Sequence, residues 1–461
     1  MPIDIPFTVE QLDGLLKMYG ANTLPKSQFL QDELYSMAGD SLYIYDGTMI
    51  ASNGKKLIST FTEYFPKFIQ YFAVKALPNP HILKLLHDIG MGFDCSSVSE
   101  LKLIESIEKT FSIQCKKIFS SNYTTFNDIA YFFTEVYSKD NTSIINFDDE
   151  CGLDFMIELF TKLKKTSAEH YEKLFPHLIC FRLNPTTNLT NLEVKSNLLS
   201  GSGSKFGISQ DRILSVYAKA KEFGVKEFGI HIMTGSCVLN EKYFSDLVDL
   251  IIPIVKQLDS KLGIKVQFIN LGGGIGIPYK PTDKPIDLDL LVSNIHSKVM
   301  SNIKTHSLDW IPNILMENGR YITGPYGWLI TRCGSIKTDG EIFYGLQACM
   351  SNLMRPGMYG AYHHISVPRL EKEEKEEKHL VNVVGSLCEN NDWFAKSRLL
   401  PQGIKISDIF VIHDCGAHSH SMCFQYNGKL RCGEILFTGR DFKLIRKPET
   451  YSDYVHTVCQ L

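Results

Sequence analysis

From about residue 70 to residue 320 the chain alternates between two hydrophobic patterns. Short β-rich runs end in polar residues or glycine: YFAVKAL (Tyr71–Leu77), GFDCSS (Gly92–Ser97), KKIFSS (Lys116–Ser121) and SIINFDD (Ser143–Asp149). Four more follow: LICFRLNP (Leu178–Pro185), EFGIHIMTG (Glu227–Gly235), VQFINLGGG (Val266–Gly274) and NILMENGR (Asn313–Arg320). Between them lie longer segments such as HILKLLHDIG, FNDIAYFFTEVY, DRILSVYAKAKEFG and YFSDLVDLIIPIVKQL, whose apolar residues recur at i, i+3 and i+4. That spacing predicts amphipathic helices. Strand–helix alternation implies a parallel sheet, and eight strands imply a closed (β/α)₈ barrel, with an open doubly wound sheet as the competitor.

After Pro325 the texture changes to short strand-like pieces, turns and glycines. The expected organisation is a barrel over 51–322 and a β-rich second domain, sandwich- or barrel-like, over 323–461. The segment 1–50 should lend that domain a strand through SLYIYD (Ser41–Asp46). The run EKEEKEEKH (Glu371–His379) reads as a solvated loop or short helix.

Composition narrows the function. The 461 residues carry a net charge of −3, with 44% hydrophobic and 21% charged residues. This is a globular balance with no electrostatic call for nucleic acid or an anionic membrane. The twelve cysteines include no Cys-x-x-Cys pair, so structural zinc is not expected and a reducing compartment is. The N-terminus MPIDIPFTVEQLDG lacks the pattern of a signal or transit peptide. The longest apolar window, Leu247–Val255, is interrupted by Asp249, well short of the ~20 residues that span a bilayer. A cytoplasmic protein is expected.

In a (β/α)₈ barrel, reactive groups sit at the C-terminal ends of the strands. Here those ends hold Lys75, Asp94 with Ser96, Asn184, Ser236, Gly272–Gly274 and Glu317–Arg320. One lysine, a triple glycine and one carboxylate suit an aldehyde cofactor that carries a phosphate. A lysine entering a barrel mouth is desolvated and its amine made available to an aldehyde; taken alone, it is more often a surface residue. LGGGIG (Leu271–Gly276) allows close approach of the backbone to an anion, though a plain tight turn accounts for it equally well. Ser236 could add a hydroxyl. Glu317 could keep a pyridine nitrogen protonated, and Arg320 could grip a carboxylate with two prongs; a surface Glu–Arg pair is the bland alternative. In GSLCENND, the Cys388 thiol could deliver a proton to a carbanion, although most cysteines are simply buried.

With these residues in view, the chain resembles the fold-type III pyridoxal-phosphate decarboxylases, and within them the diaminopimelate decarboxylases. The match runs over roughly residues 40–440 through YFAVKA, GFDCSS, SKFGI, GSC after HIMT, LGGGIGIPY, ENGRYITGP, RPGMYGAYH, GSLCENND, HDCGAHSHSM and YNGKLR, in the family's order. The resemblance implies the cofactor pyridoxal 5′-phosphate, with Lys75 condensed to its aldehyde. Ser236, Gly273, Gly274 and the backbone from Glu317 through Gly319 to Arg320 would hold its phosphate, and the Glu317 carboxylate would face its ring nitrogen. Arg320, Arg355 and Tyr359 would bind the substrate's distal end, Cys388 would donate the proton and Glu389 would take the distal ammonium. Cys388 and Glu389 would come from a neighbouring subunit, which implies a homodimer. The reaction implied is decarboxylation of meso-2,6-diaminopimelate to L-lysine. A decarboxylase of ornithine, lysine or arginine, and a silent relative that only binds a partner, are the alternatives.

Three positions depart from the family. Met233 stands where a histidine usually meets the cofactor ring; His231 lies two residues earlier on the same strand face and could compensate, or the thioether could pack on the ring. His418 replaces the tyrosine of Gly-Ala-Tyr and could still donate to phosphate or substrate. Asn318 replaces the proline of Glu-Pro-Gly-Arg, a change expected to be harmless.

Overall fold

The structure is a computed structural model that describes residues 5–19, 41–185, 200–201, 203–370 and 377–459. Most of the acidic run at 371–379 lies outside the described residues; its last two, Lys378 and His379, open a strand. The chain divides into two compact units: residues 51–277 with 284–321, and residues 1–50 with 278–283 and 322–461.

The first strand of the chain, β1 (Ser41–Asp46), belongs to the second of these units. Eight longer strands build the other unit: β2 (Ile69–Ala73), β3 (Gly92–Cys95), β4 (Lys117–Phe119), β5 (Ile144–Phe147), β6 (Leu178–Asn184), β7 (Glu227–Ile232), β8 (Phe268–Asn270) and β9 (Asn313–Met316). Each pairs in parallel with the next in sequence, and β9 pairs with β2, so the sheet closes into the expected eight-stranded barrel. A two-residue strand, Ile208–Ser209, adds to the end of β6. The helices fall where the periodicity puts them. Pro80–Asp88 starts on an Asn79 cap with proline in its first turn, as a proline that needs no N–H partner should. Tyr243–Leu262 ends on Gly263 in the left-handed conformation.

The barrel is filled, not hollow. Tyr71, Ile118, Ile144, Cys180, Phe268 and Leu315 form one buried cluster inside it. Two large rings need room, and two glycines give it. A Cβ on Gly92 would lie 2.6 Å from the Tyr71 ring, and one on Gly229 would run into the Phe268 ring. Large and small side chains therefore alternate around the floor, at the close packing that a protein interior needs.

In the second unit β1 lies between two later strands. It pairs antiparallel with β10 (Gly327–Lys337) and parallel with a strand at Gly433–Phe437. Every residue of β1 is buried. Trp328, Ile330, Val411 and Ile435 close over Leu42 and Ile44, with Leu12 and Leu16 of the helix Val9–Tyr19 packed against them. The mixed sheet continues through Phe343–Leu346, Lys378–Val384 and Trp393–Pro401.

Candidate active site

The C-terminal ends of the barrel strands carry a band of polar residues inside an otherwise apolar wall. Register places Arg182 beside His231 and His231 beside Asn270. Asn270 lies opposite Leu315, so Glu317, two residues on, points the same way. Side chains complete the band. His231 Nε2 lies 3.1 Å from Glu317 Oε2, and Asn270 Nδ2 donates to Glu317 Oε1 at 2.6 Å. Arg182 donates to Asp148 Oδ1 and to the Met233 carbonyl, both at 3.1 Å, and lies over the Phe206 ring.

The electrostatics separate the two acids at this end of the barrel. Burial works to raise the Glu317 carboxyl, but the His231 ring, the two hydrogen bonds and the Lys75 charge outweigh it and hold the group below its usual range. Asp94, at β3, is buried with no hydrogen bond to its Oδ1. Burial and then the Glu317 charge push it well above the usual carboxylate range, against the pull of Lys75. Paired acids driven in opposite directions are a pattern of chemically active sites.

Lys75 sits differently from the sequence-based expectation. β2 ends at Ala73, and Lys75 is the middle residue of a 3₁₀ turn, Val74–Ala76. Val74 and Ala76 are buried, whereas Lys75 is exposed rather than desolvated. The turn packs against Gly319, where a Cβ would meet that of Ala76 at 2.6 Å. The residue after Glu317–Asn318 must therefore be small, which places the Glu317 loop directly against the lysine's turn.

The triple glycine is a close-packed loop. Gly272 and Gly274 have φ of +66° and +110°, values that favour glycine. A Cβ on Gly273 would strike the Glu317 carbonyl, and one on Gly274 the Gly235 carbonyl. Gly272 N–H donates to Asn270 Oδ1 and Gly273 N–H to Met233 Sδ. Ile275 N–H donates to Asn318 Oδ1, and Gly276 N–H to the Val238 carbonyl. Among the described residues the Gly274 N–H makes no hydrogen bond. Ser236, half-buried, lies in the neighbouring loop, next to Cys237, whose φ is +58°. A non-glycine residue held in that region stores strain, a mark of sites shaped for binding.

Other candidates have local duties. Ser96 donates from both its N–H and its hydroxyl to Glu100. Asn184 accepts from the Gly201 N–H. Met233 spends its sulfur on the glycine loop and its carbonyl on Arg182, while His231 takes the place beside Glu317. Asn318, expected to be a harmless replacement, is buried and bonded on both sides. Sequence reasoning missed Asn270, Arg182 and Asp148, although a polar side chain at the end of FIN or within LICFRLN is itself a signal in a buried strand.

The remaining candidates belong to the second unit. Arg355 is buried; its Nε donates to His363 Nε2 at 3.3 Å, and its guanidinium lies over the Tyr279 ring. His363 Nδ1 is 2.8 Å from the His413 carbonyl, a geometry in which Nδ1 carries the proton and Nε2 accepts. Tyr359 is 62% exposed, and Cys388 and Glu389 are exposed too. His418 is half-buried with φ +54°. Asp414, four residues earlier in the chain, also has a positive φ, +57°, and its Oδ2 is buried without a hydrogen bond.

Burial raises Asp414 to about 7, against the pull of Arg355. A carboxyl raised from 3.8 binds its proton more tightly folded than unfolded, so its contribution to stability is full below the unfolded value and drains away as pH rises through about 7. Asp414→Asn, which suits the left-handed backbone, is expected to remove this slope. Thermal melts of both proteins between about pH 5 and pH 8 check it: the wild type should lose melting temperature with rising pH relative to the variant.

The described residues hold no group of three His, Cys, Asp or Glu side chains that could bind a metal, and no described helix is long and apolar enough to cross a membrane. Residues 53–324 match the family model for the pyridoxal-dependent decarboxylase, pyridoxal binding domain. The chain belongs to this family of pyridoxal-dependent decarboxylases.

Its relatives extend over nearly the whole decarboxylase. Protein TabA of Pseudomonas amygdali pv. tabaci is 35% identical over 429 residues, 92% of each chain. The diaminopimelate decarboxylase of Methanothermobacter thermautotrophicus is 31% identical, over 91% of this chain and 92% of its own. Among solved structures, diaminopimelate decarboxylase from M. jannaschii in complex with L-lysine superposes with a TM-score of 0.78 at 27% identity, over 93% of this chain and 94% of that one. The decarboxylase's cofactor is pyridoxal phosphate, and the donor set at the barrel mouth fits it. There is an exposed amine on a turn anchored by buried Val74 and Ala76, a glycine loop with an uncommitted N–H among the described residues, and a carboxylate held in its charged form.

Proposed function

We propose that this decarboxylase converts meso-2,6-diaminopimelate to L-lysine and carbon dioxide, the reaction that completes lysine biosynthesis. The observation that carries the reading is the ionised Glu317, braced by His231 and Asn270 beside the turn that bears Lys75. Pyridoxal phosphate, when bound, supplies an electron sink for the carbon that loses its carboxylate. Lys75 is the amine that would hold the cofactor's aldehyde. Glu317 keeps the ring nitrogen protonated. Ser236, Gly273, Gly274 and the backbone of Gly319 and Arg320 would hold the phosphate, with His418 as a further donor, and His231 braces Glu317.

The bond between the α-carbon and one carboxylate breaks, its electron pair stays on carbon, and a proton takes the place of the departing carbon dioxide. Cys388 delivers that proton. Its exposure, and that of Glu389, supports a homodimer in which each copy offers these two residues to the other's barrel. Twelve unpaired cysteines suit the reducing cytoplasm.

Substrate choice follows from charge. Diaminopimelate keeps a carboxylate and an ammonium at its far end. Arg320 and Arg355, with Tyr359, answer the first, and Glu389 answers the second. Ornithine offers no distal carboxylate for these groups to answer. The test is a panel of diaminopimelate, ornithine, lysine and arginine with added cofactor, read by mass spectrometry of the products. Lysine formed from diaminopimelate at the highest kcat/KM is expected; a higher value for ornithine overturns the substrate assignment.

A further inference from the structure

The three departures from the family pattern differ in what they touch, and Asn318 joins two parts of the barrel. It is buried between two parts of the barrel mouth. Its Nδ2 donates to Gln70 Oε1 at 3.1 Å, and its Oδ1 accepts from the Ile275 N–H at 3.2 Å. Gln70, on β2, is equally buried and returns a bond from Nε2 to the Asn318 carbonyl at 3.2 Å. Two amides thus run from β2, through the residue after Glu317, to the glycine loop. Each polar group of the pair has a partner, which is the condition for keeping amides in a core.

The loop is then held on both sides of Gly274. Asn270 takes the Gly272 N–H ahead of it, and Asn318 takes the Ile275 N–H just after it. The Gly274 carbonyl is committed to the Val238 N–H at 2.9 Å. What remains at the apex is the Gly274 N–H. A proline at 318 has no side-chain acceptor for Ile275 and no donor for Gln70, so a proline-bearing relative cannot hold its loop this way.

We propose that Asn318, backed by Gln70, is a positioning residue that aims the Gly274 N–H at the cofactor's phosphate. This deepens the cofactor reading above and rests on it. The role is expected to fall on the phosphate, because the Glu317 carboxylate is held by His231 and Asn270 rather than by Asn318 or Gln70.

The experiment measures equilibrium binding of pyridoxal 5′-phosphate and of pyridoxal, which lacks the phosphate, to the full-length apoprotein by absorbance. Three proteins are compared: wild type, Asn318→Ala and Gln70→Met. The last cuts the same chain at its far end with a side chain of similar size, and serves if the alanine variant does not fold. Asn318→Ala should weaken pyridoxal phosphate binding about tenfold, the cost of a buried hydrogen bond and its stranded partner. Gln70→Met should weaken it less, and both should leave pyridoxal within about twofold of wild type. Equal loss for both ligands, or no loss for either, overturns the assignment. A wild type that does not favour the phosphorylated ligand overturns the phosphate site itself, a separate result read from the same titration.

Discussion

Lys75→Ala should leave a folded protein that no longer traps its cofactor and whose kcat/KM falls by at least about 10³-fold, the scale of a lost covalent anchor and the orientation it enforces. The fold should survive because the side chain contributes little to it. Lys75 is the one exposed residue of its turn; Val74 and Ala76 do the packing. Its charge, by contrast, reaches Glu317, Asp94 and Glu100 and pulls each downward, although burial leaves Asp94 and Glu100 raised. Borohydride reduction of the holoenzyme followed by peptide mapping is the direct check. The label should sit on the peptide containing residue 75 and vanish in the variant. A variant that still forms a reducible linkage elsewhere would sink the proposed chemistry, whatever its residual rate.

Glu317→Gln should lower kcat by about 10²–10³-fold, the usual loss when one preorganised electrostatic partner is removed. The change is nearly isosteric. The amide oxygen can still accept from Asn270 and the amide nitrogen can still face His231, so the fold should be retained. What is lost is the negative charge. In the wild type that charge persists below the ordinary carboxylate range, because burial is outweighed by His231, Asn270 and Lys75. A folded-state value below the unfolded one means that the Glu317 contribution to stability is present above the unfolded value and is lost only as pH falls through the folded one. Acid unfolding should therefore differ between the two proteins, with the variant less sensitive to pH. Equal turnover in both would exclude Glu317 as the group that charges the ring nitrogen.

Most of the barrel was legible because a buried parallel strand is an unbroken apolar run that stops at a glycine or polar residue. The ends were less so. YFAVKAL stays apolar beyond Ala73, and hydrophobicity alone does not separate a strand from the buried 3₁₀ turn that follows it. At the other end, Gln70 hid the start of β2. The same limit governs the site. Glu317 could be placed from its position at a strand end, but its charge state depends on His231 and Asn270, 86 and 47 residues away in sequence. Asn318 looked inert because its partners, Gln70 and Ile275, lie 248 and 43 residues away. No local pattern announces an amide chain of that reach.

The two ring–glycine fits in the barrel floor have a bearing on how this chain can be altered. Residue 229 cannot grow unless residue 268 shrinks in the same step, and residues 92 and 71 are tied in the same manner. Random libraries that vary one position at a time will find these four sites intolerant, while paired swaps of bulk between partners open routes that single changes close.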